Sequence, residues 1–149
     1  MEQREQIQQV LSFANQYPGC HLATVDGDQP RVRGMLLWFA DETGFYFHTG
    51  SIKNLPKQIL KCPKTEIAFI KPSETQQDML ALRVSGNAEI VDNKELEERL
   101  LTERPWLLEN LKQNPEGHMV IFRIKDCEAV FWDLTKNLVS DSDTRIKLS

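Results

Sequence analysis

Cysteine is scarce in this chain: Cys20, Cys62 and Cys127 are the only three in 149 residues, with no Cys-X-X-Cys pair. Such spacing gives neither a disulfide framework nor a redox dithiol, and it fits a reducing cytoplasm. Histidine is equally rare, and His21, His48 and His118 lack the i, i+3 or i, i+4 spacing that would set two ligands on one helical face. No zinc site is signalled. The seven glycines are scattered through turns, so neither a Gly-rich phosphate loop nor a nucleophile elbow is present. No run of 18 apolar residues occurs, and the opening MEQREQIQQ is polar where a secretory signal would be apolar. Export and membrane spanning are disfavoured, and a cytoplasmic location is expected. Basic residues are outnumbered, 18 against 22 acidic, for a net charge of −4 and a pI near 5.4. An overall basic field for nucleic acid is therefore missing. Chemistry in such a chain would come from a bound cofactor.

What is present suffices for one domain. Hydrophobic residues make up 40% of the chain, and this length buries a sizeable core without staples. The expected domain spans residues 1–134, followed by a loose tail over 135–149 that is rich in Ser, Asp and Lys. Ile7, Val10, Leu11 and Ala14 follow helical spacing in a segment, 4–17, that Pro18-Gly19 stops. A strand over 20–25, the turn Asp26-Gly27-Asp28 and an extended run over 30–39 read as a hairpin. The turn Asp41-Glu42-Thr43-Gly44 leads into a third strand over 45–49, making a meander. A helix is expected from near Asn54, because Pro56 is tolerated only in a first turn.

Strands over 65–71 and 79–92 follow, the second with Leu80, Leu82, Val84, Ala88 and Ile90 on one face. Asp92-Asn93-Lys94-Glu95 has the form of a capping box opening a helix. Pro105 restarts a helix bearing Trp106, Leu107, Leu108 and Leu111. Two last strands, 119–125 and 128–133, are separated by a turn at Asp126-Cys127. About seven strands with irregularly interspersed helices do not match a doubly wound parallel sheet, and a small, mainly antiparallel barrel with peripheral helices fits better.

Arg31-Val32-Arg33-Gly34-Met35-Leu36-Leu37, then Gly44-Phe45-Tyr46-Phe47-His48-Thr49-Gly50-Ser51-Ile52-Lys53, then Arg83-Val84-Ser85-Gly86 occur in that order. Their order and spacing resemble the pyridoxamine 5′-phosphate oxidase-like family, in its general stress protein 26-like form. The resemblance implies a mainly β fold, a six- to seven-stranded antiparallel split β-barrel of the FMN-binding type. It further implies a homodimer with FMN in clefts between the subunits, acting on a small-molecule substrate or electron donor such as NAD(P)H, with no nucleic acid and no membrane as partner. A non-catalytic protein of the same fold that binds or senses flavin, haem or the deazaflavin F420 is the alternative.

By the same resemblance, Arg33 begins the extended segment beside the isoalloxazine, and Leu36 and Leu37 are positions whose backbone meets the ring. His48 and Thr49 match an aromatic-Thr pair near the flavin, and Ser51 and Lys53 match the phosphate-holding segment. A dianionic phosphate needs charge-assisted donors, which Ser51, Lys53 and free N–H groups at an opening helix supply. Arg83 and Trp132 are candidate cleft residues on later strands. The chain departs from the family at Ile52 (an arginine there), Ala81 (a glutamine) and Trp38 (a lysine), and it lacks a C-terminal Arg-x-His segment. These departures exclude the vitamin oxidase activity from the expectation.

Overall fold

The computed structural model describes residues 2–134 and 145–148. It begins with α1 (Gln3–Gln16), which buries Val10, Leu11, Phe13 and Ala14. Then come β1 (Gly19–Asp26), β2 (Gln29–Leu36), β3 (Phe39–Asp41), β4 (Gly44–Gly50), α2 (Asn54–Lys61), β5 (Lys64–Ile70) and β6 (Leu80–Val91). After α3 (Lys94–Glu103) and α4 (Trp106–Gln113), β7 (Met119–Asp133) and β8 (Ile146–Lys147) complete the described residues. All strand pairs are antiparallel, in the order β2-β1-β5-β6-β7-β4-β3, with β8 added to β7.

The two ends of that order, β2 and β3, are consecutive in the chain. Only Leu37 and Trp38 separate Leu36 from Phe39, a span of at most about 11 Å. The sheet must therefore curl until its edges approach at one end, which makes a split barrel. Leu22, Phe45, Phe47, Ile67, Phe69, Leu82, Val84, Phe122 and Ile124 fill its interior. A smaller cluster of Tyr46, Leu100, Leu107 and Ile121 fixes α3 and α4 onto the outside.

The expected meander is replaced by two separated hairpins, because β2 pairs with β1 while β4 pairs with β3 and β7. The extended run over 30–39 is accordingly two strands. Leu37 is buried and donates its N–H to Pro18 O at 2.9 Å, whereas Trp38 N–H donates to Tyr46 O at 3.0 Å. The chain thus leaves one edge of the barrel and joins the other within two residues.

The expected turn at Asp126-Cys127 is a β-bulge inside one 15-residue strand. Val120, Phe122 and Ile124 face the core before it, and Cys127 and Ala129 face the core after it. One extra residue resets the two-residue alternation, and Asp126 absorbs it at φ 54°. A parity break reads in sequence as the end of a strand. Gly86 lies opposite the bulge, where a Cβ would meet Ile124 Cγ2 and Lys125 O, each at 2.7 Å.

The α3 cap is Asn93, not Asp92; its side chain accepts from Leu96 N at 3.1 Å. The expected loose tail falls partly on residues 135–144, outside the described residues. Residue 149 also lies outside them, and within 145–148 Ile146 and Lys147 pair with Ala129 and Glu128 while Leu148 N–H donates to Cys127 O at 3.0 Å.

Candidate functional site

Paired strand residues share a face. Arg33 is opposite Leu22, a core residue, and Thr24, also buried, is opposite Arg31. Both arginines of β2 therefore look inward, toward α2, which packs across β1, β4 and β6. Between β2 and α2 lies an open groove of about 1110 Å³. Its charged lining is Arg31, Arg33, Lys53, Lys57 and Lys61 against the single carboxylate Asp26. In a chain of net charge −4, this is a local concentration of positive charge.

Arg33 is held in place. Its guanidinium donates to Thr24 Oγ1 at 2.8 Å, Gln58 Oε1 at 2.7 Å and Leu22 O at 3.3 Å, and Thr24 Oγ1 donates to Gln58 Oε1 at 2.6 Å. None of these acceptors is charged, so the cation keeps its full charge beside the groove, and partial burial lowers its pKa. Asp26 is engaged by Arg31 at 3.2 Å. Among the described residues no hydrogen bond or ion pair engages the ammonium of Lys53, Lys57 or Lys61.

Lys53 stands at the N-cap of α2, where Leu55, Pro56 and Ile59 bury one face and leave the lysines outside. The first turn of a helix presents free N–H groups and the positive end of its dipole. Thr49 lines the same groove. Ser51 has been drawn aside: its N–H donates to His118 O at 2.8 Å and its Oγ accepts from His118 N at 2.9 Å.

Beyond Thr49 and Lys53 a second cavity of about 400 Å³ opens, walled by His48, Ile52, Trp106, Leu107, Leu111 and Met119. Arg104 donates to His48 Nε2 at 2.6 Å and to Leu37 O at 3.1 Å. Since a guanidinium only donates, His48 Nε2 is the acceptor and its proton sits on Nδ1. Burial, then the charges of Arg104 and Lys53, push the His48 pKa down to about 4. The imidazole is neutral at pH 7.

The nine expected site residues divide. Arg33, Thr49 and Lys53 meet in the groove, His48 lines the adjoining cavity, and Ser51 braces the loop between them. Leu37 is buried, with N–H and C=O both engaged inside the protein. Leu36, Arg83 and Trp132 lie on the opposite, outer face: Leu36 pairs with Gly19, and Arg83 with Ala68 and Val130, all out of phase with the core positions. The residues that sequence reading missed are Lys57, Lys61, Gln58 and Arg104. Lysines at i, i+4 and i+8 from Lys53 were a visible signal, whereas nothing in the sequence placed Arg104 against His48.

Residues 5–131 match the sequence model of the pyridoxamine 5′-phosphate oxidase family. The chain belongs to that family. No curated protein matches it in sequence. Solved structures share the fold. A NimC/NimA family protein from Clostridium acetobutylicum is 22% identical with a TM-score of 0.69, covering 95% of this chain and 92% of its own. General stress protein 26 from Bacillus anthracis str. Sterne is 18% identical, TM-score 0.68, covering 99% of each chain. HutZ, the haem storage protein from Vibrio cholerae, is 16% identical, TM-score 0.61, covering 84% of this chain and 90% of its own.

Proposed function

We propose that this protein binds FMN in the groove between β2 and α2, works as a homodimer, and passes electrons between a small-molecule donor such as NAD(P)H and an acceptor. The observation that carries this reading is the meeting of Arg33 and Lys53, neither paired with a carboxylate among the described residues, at one groove in an acidic protein. Arg33 is positioned by Thr24 and Gln58 without being neutralised, and Lys53 joins it from the mouth of α2. A phosphate dianion would be met by two charge-assisted donors and the free N–H groups of the helix. The donor set fits the group.

FMN, when bound, supplies hydride and single-electron transfer. The chain's own residues bind and orient it. Arg33 and Lys53 hold the phosphate end, Thr49 lines the wall, and His48, neutral with its proton on Nδ1, borders the apolar cavity where a substrate ring can lie.

The homodimer is supported by the outer face of β2, β1, β5 and β6. There Val32, Leu36 and Ile70 are 68%, 49% and 44% exposed, and Arg83 Nε is buried without a hydrogen-bond partner among the described residues. An apolar face of this kind is suited to a second subunit, which would also bring the partner's outer-face residues toward the open groove. Helices α3 and α4 cover the rest of that face, so the uncovered half is a defined patch.

The test is an absorbance spectrum of the isolated protein, followed by FMN titration. Flavin bands are expected, with Lys53→Ala weakening FMN by about ten- to a hundredfold, as for loss of a charged hydrogen bond. Arg99→Ala, an exposed α3 residue paired with Glu103, is expected to bind as wild type. A Soret band, or equal titration curves for both variants, would remove FMN from the groove.

A further inference from the structure

We propose that Lys57 and Lys61 form a diphosphate subsite in the same groove, so that it takes the adenosine-diphosphate end of a dinucleotide beyond the phosphate held by Arg33 and Lys53. A phosphate monoester carries at most two negative charges, which those two cations match. Arg31 is already paired with Asp26. Lys57 and Lys61 are then left over, exposed, unpaired among the described residues, and lining the groove rather than the far side of α2.

Their placement has a direction. Positions 57 and 61 lie about 6 and 12 Å along α2 from Lys53, so the surplus charge continues away from the first phosphate in a line. Lysines one turn apart repel on an isolated helix. An anion between them converts that repulsion into shared attraction. The groove is bounded on its other side by β2, with Arg31 and Met35 on the wall, and this trough suits a linear polyanion better than a flat surface. Gln58, between the two lysines in sequence, has its Oε1 engaged by Arg33 and Thr24, so the charge that α2 brings to the groove is carried by its lysines.

The ligand that carries this chemistry is a reduced nicotinamide dinucleotide beside FMN, because FAD in place of FMN has only two phosphates in all and its first would already lie on Arg33 and Lys53. Its place beside FMN rests on the flavin reading. The direct probe is ADP-ribose, titrated calorimetrically into wild-type protein and into the Lys57→Ala/Lys61→Ala double variant, each with and without saturating FMN. Both lysines are exposed, and far-UV circular dichroism checks that the variant folds.

Saturable binding to the wild type is expected, at least about tenfold weaker in the double variant, as for loss of charged hydrogen bonds, with FMN affinity unchanged. ADP-ribose binding that persists in saturating FMN supports a nicotinamide dinucleotide beside the flavin; ADP-ribose displaced by FMN overturns a subsite separate from the first phosphate. Should FMN fail to bind while ADP-ribose responds to the lysines, the flavin reading falls and the subsite stands. Absence of ADP-ribose binding to both forms, or equal binding to the double variant, overturns the subsite.

Discussion

His48 ties the site to stability, and its protonation gives a quantitative test. Its folded pKa is about 4 against 6.5 for the free side chain, so the unfolded chain binds the proton more tightly. The group's contribution is therefore complete above about pH 6.5 and is lost as pH falls toward 4. Each pKa unit is worth about 1.4 kcal/mol, so the loss between pH 7.5 and 5 would be roughly 2 kcal/mol for a fully shielded ring. Water reaches part of His48, and screening reduces the figure to about 1 kcal/mol. The groups facing the ring are Arg104 from the α3–α4 junction, Lys53 ahead of α2, and His118 ahead of β7. His48→Gln keeps an oxygen acceptor for Arg104 but does not titrate. Urea unfolding of wild type and variant at both pH values isolates the term, since every other ionisable group is common to the two. The wild type should lose about 1 kcal/mol more than the variant on acidification. Parallel losses would refute the buried, cation-facing environment assigned to this imidazole.

Gly86→Ala should lower stability by about 1–3 kcal/mol in urea titration, because its Cβ would press on the backbone and side chains of the β7 bulge. Cys20 and Cys127 are buried, with thiols pushed up to about 12 by that burial; a thiol reagent should therefore modify one group per native chain, Cys62, and three after unfolding. Sedimentation should give a dimer, and a 17.2 kDa species at micromolar concentration would contradict the outer-face interface. FMN-saturated protein should not turn over pyridoxamine 5′-phosphate, since Trp38, which donates to Glu103 at 2.9 Å, stands where the resemblance implies a lysine in the vitamin oxidase; steady pyridoxal 5′-phosphate and peroxide production would overturn that exclusion.

Most elements were legible because their signals are local. Pro18-Gly19 closes α1, Pro56 fixes where α2 can begin, and the Asp-Gly turn after β1 reverses the chain with Gly27 at φ 66°. The errors share a different origin. The 30–39 run kept its strand character in sequence, yet the hydrogen bonds of Leu37 and Trp38 go to partners on opposite edges of the barrel. At Asp126 the reverse occurred, since a change of parity within β7 looked like a turn although pairing with β6 continues on both sides. Pairing partners and bulges are set by residues distant in the chain, and alternation alone does not carry them.

The candidate site shows the same limit in a sharper form. Arg33 and Leu36 are three residues apart on one strand, so the pleat sends them to opposite faces. A linear motif names both and cannot say that one faces α2 while the other faces outward. Arg83 and Trp132 share the outer face with Leu36, as their strand partners require. One protomer therefore cannot gather all these residues around a single ligand. They can converge only if the outer face of one subunit meets the groove of another, which makes the assembly a condition of the motif rather than an addition to it. Sedimentation of an outer-face variant outside the groove lining, Ile70→Asp, alongside FMN titration of the same protein, separates the two roles. If the dimer dissociates and FMN weakens together, the partner completes the groove; if FMN affinity survives in the monomer, Arg33, Thr49 and Lys53 suffice, and Leu36, Arg83 and Trp132 leave the site.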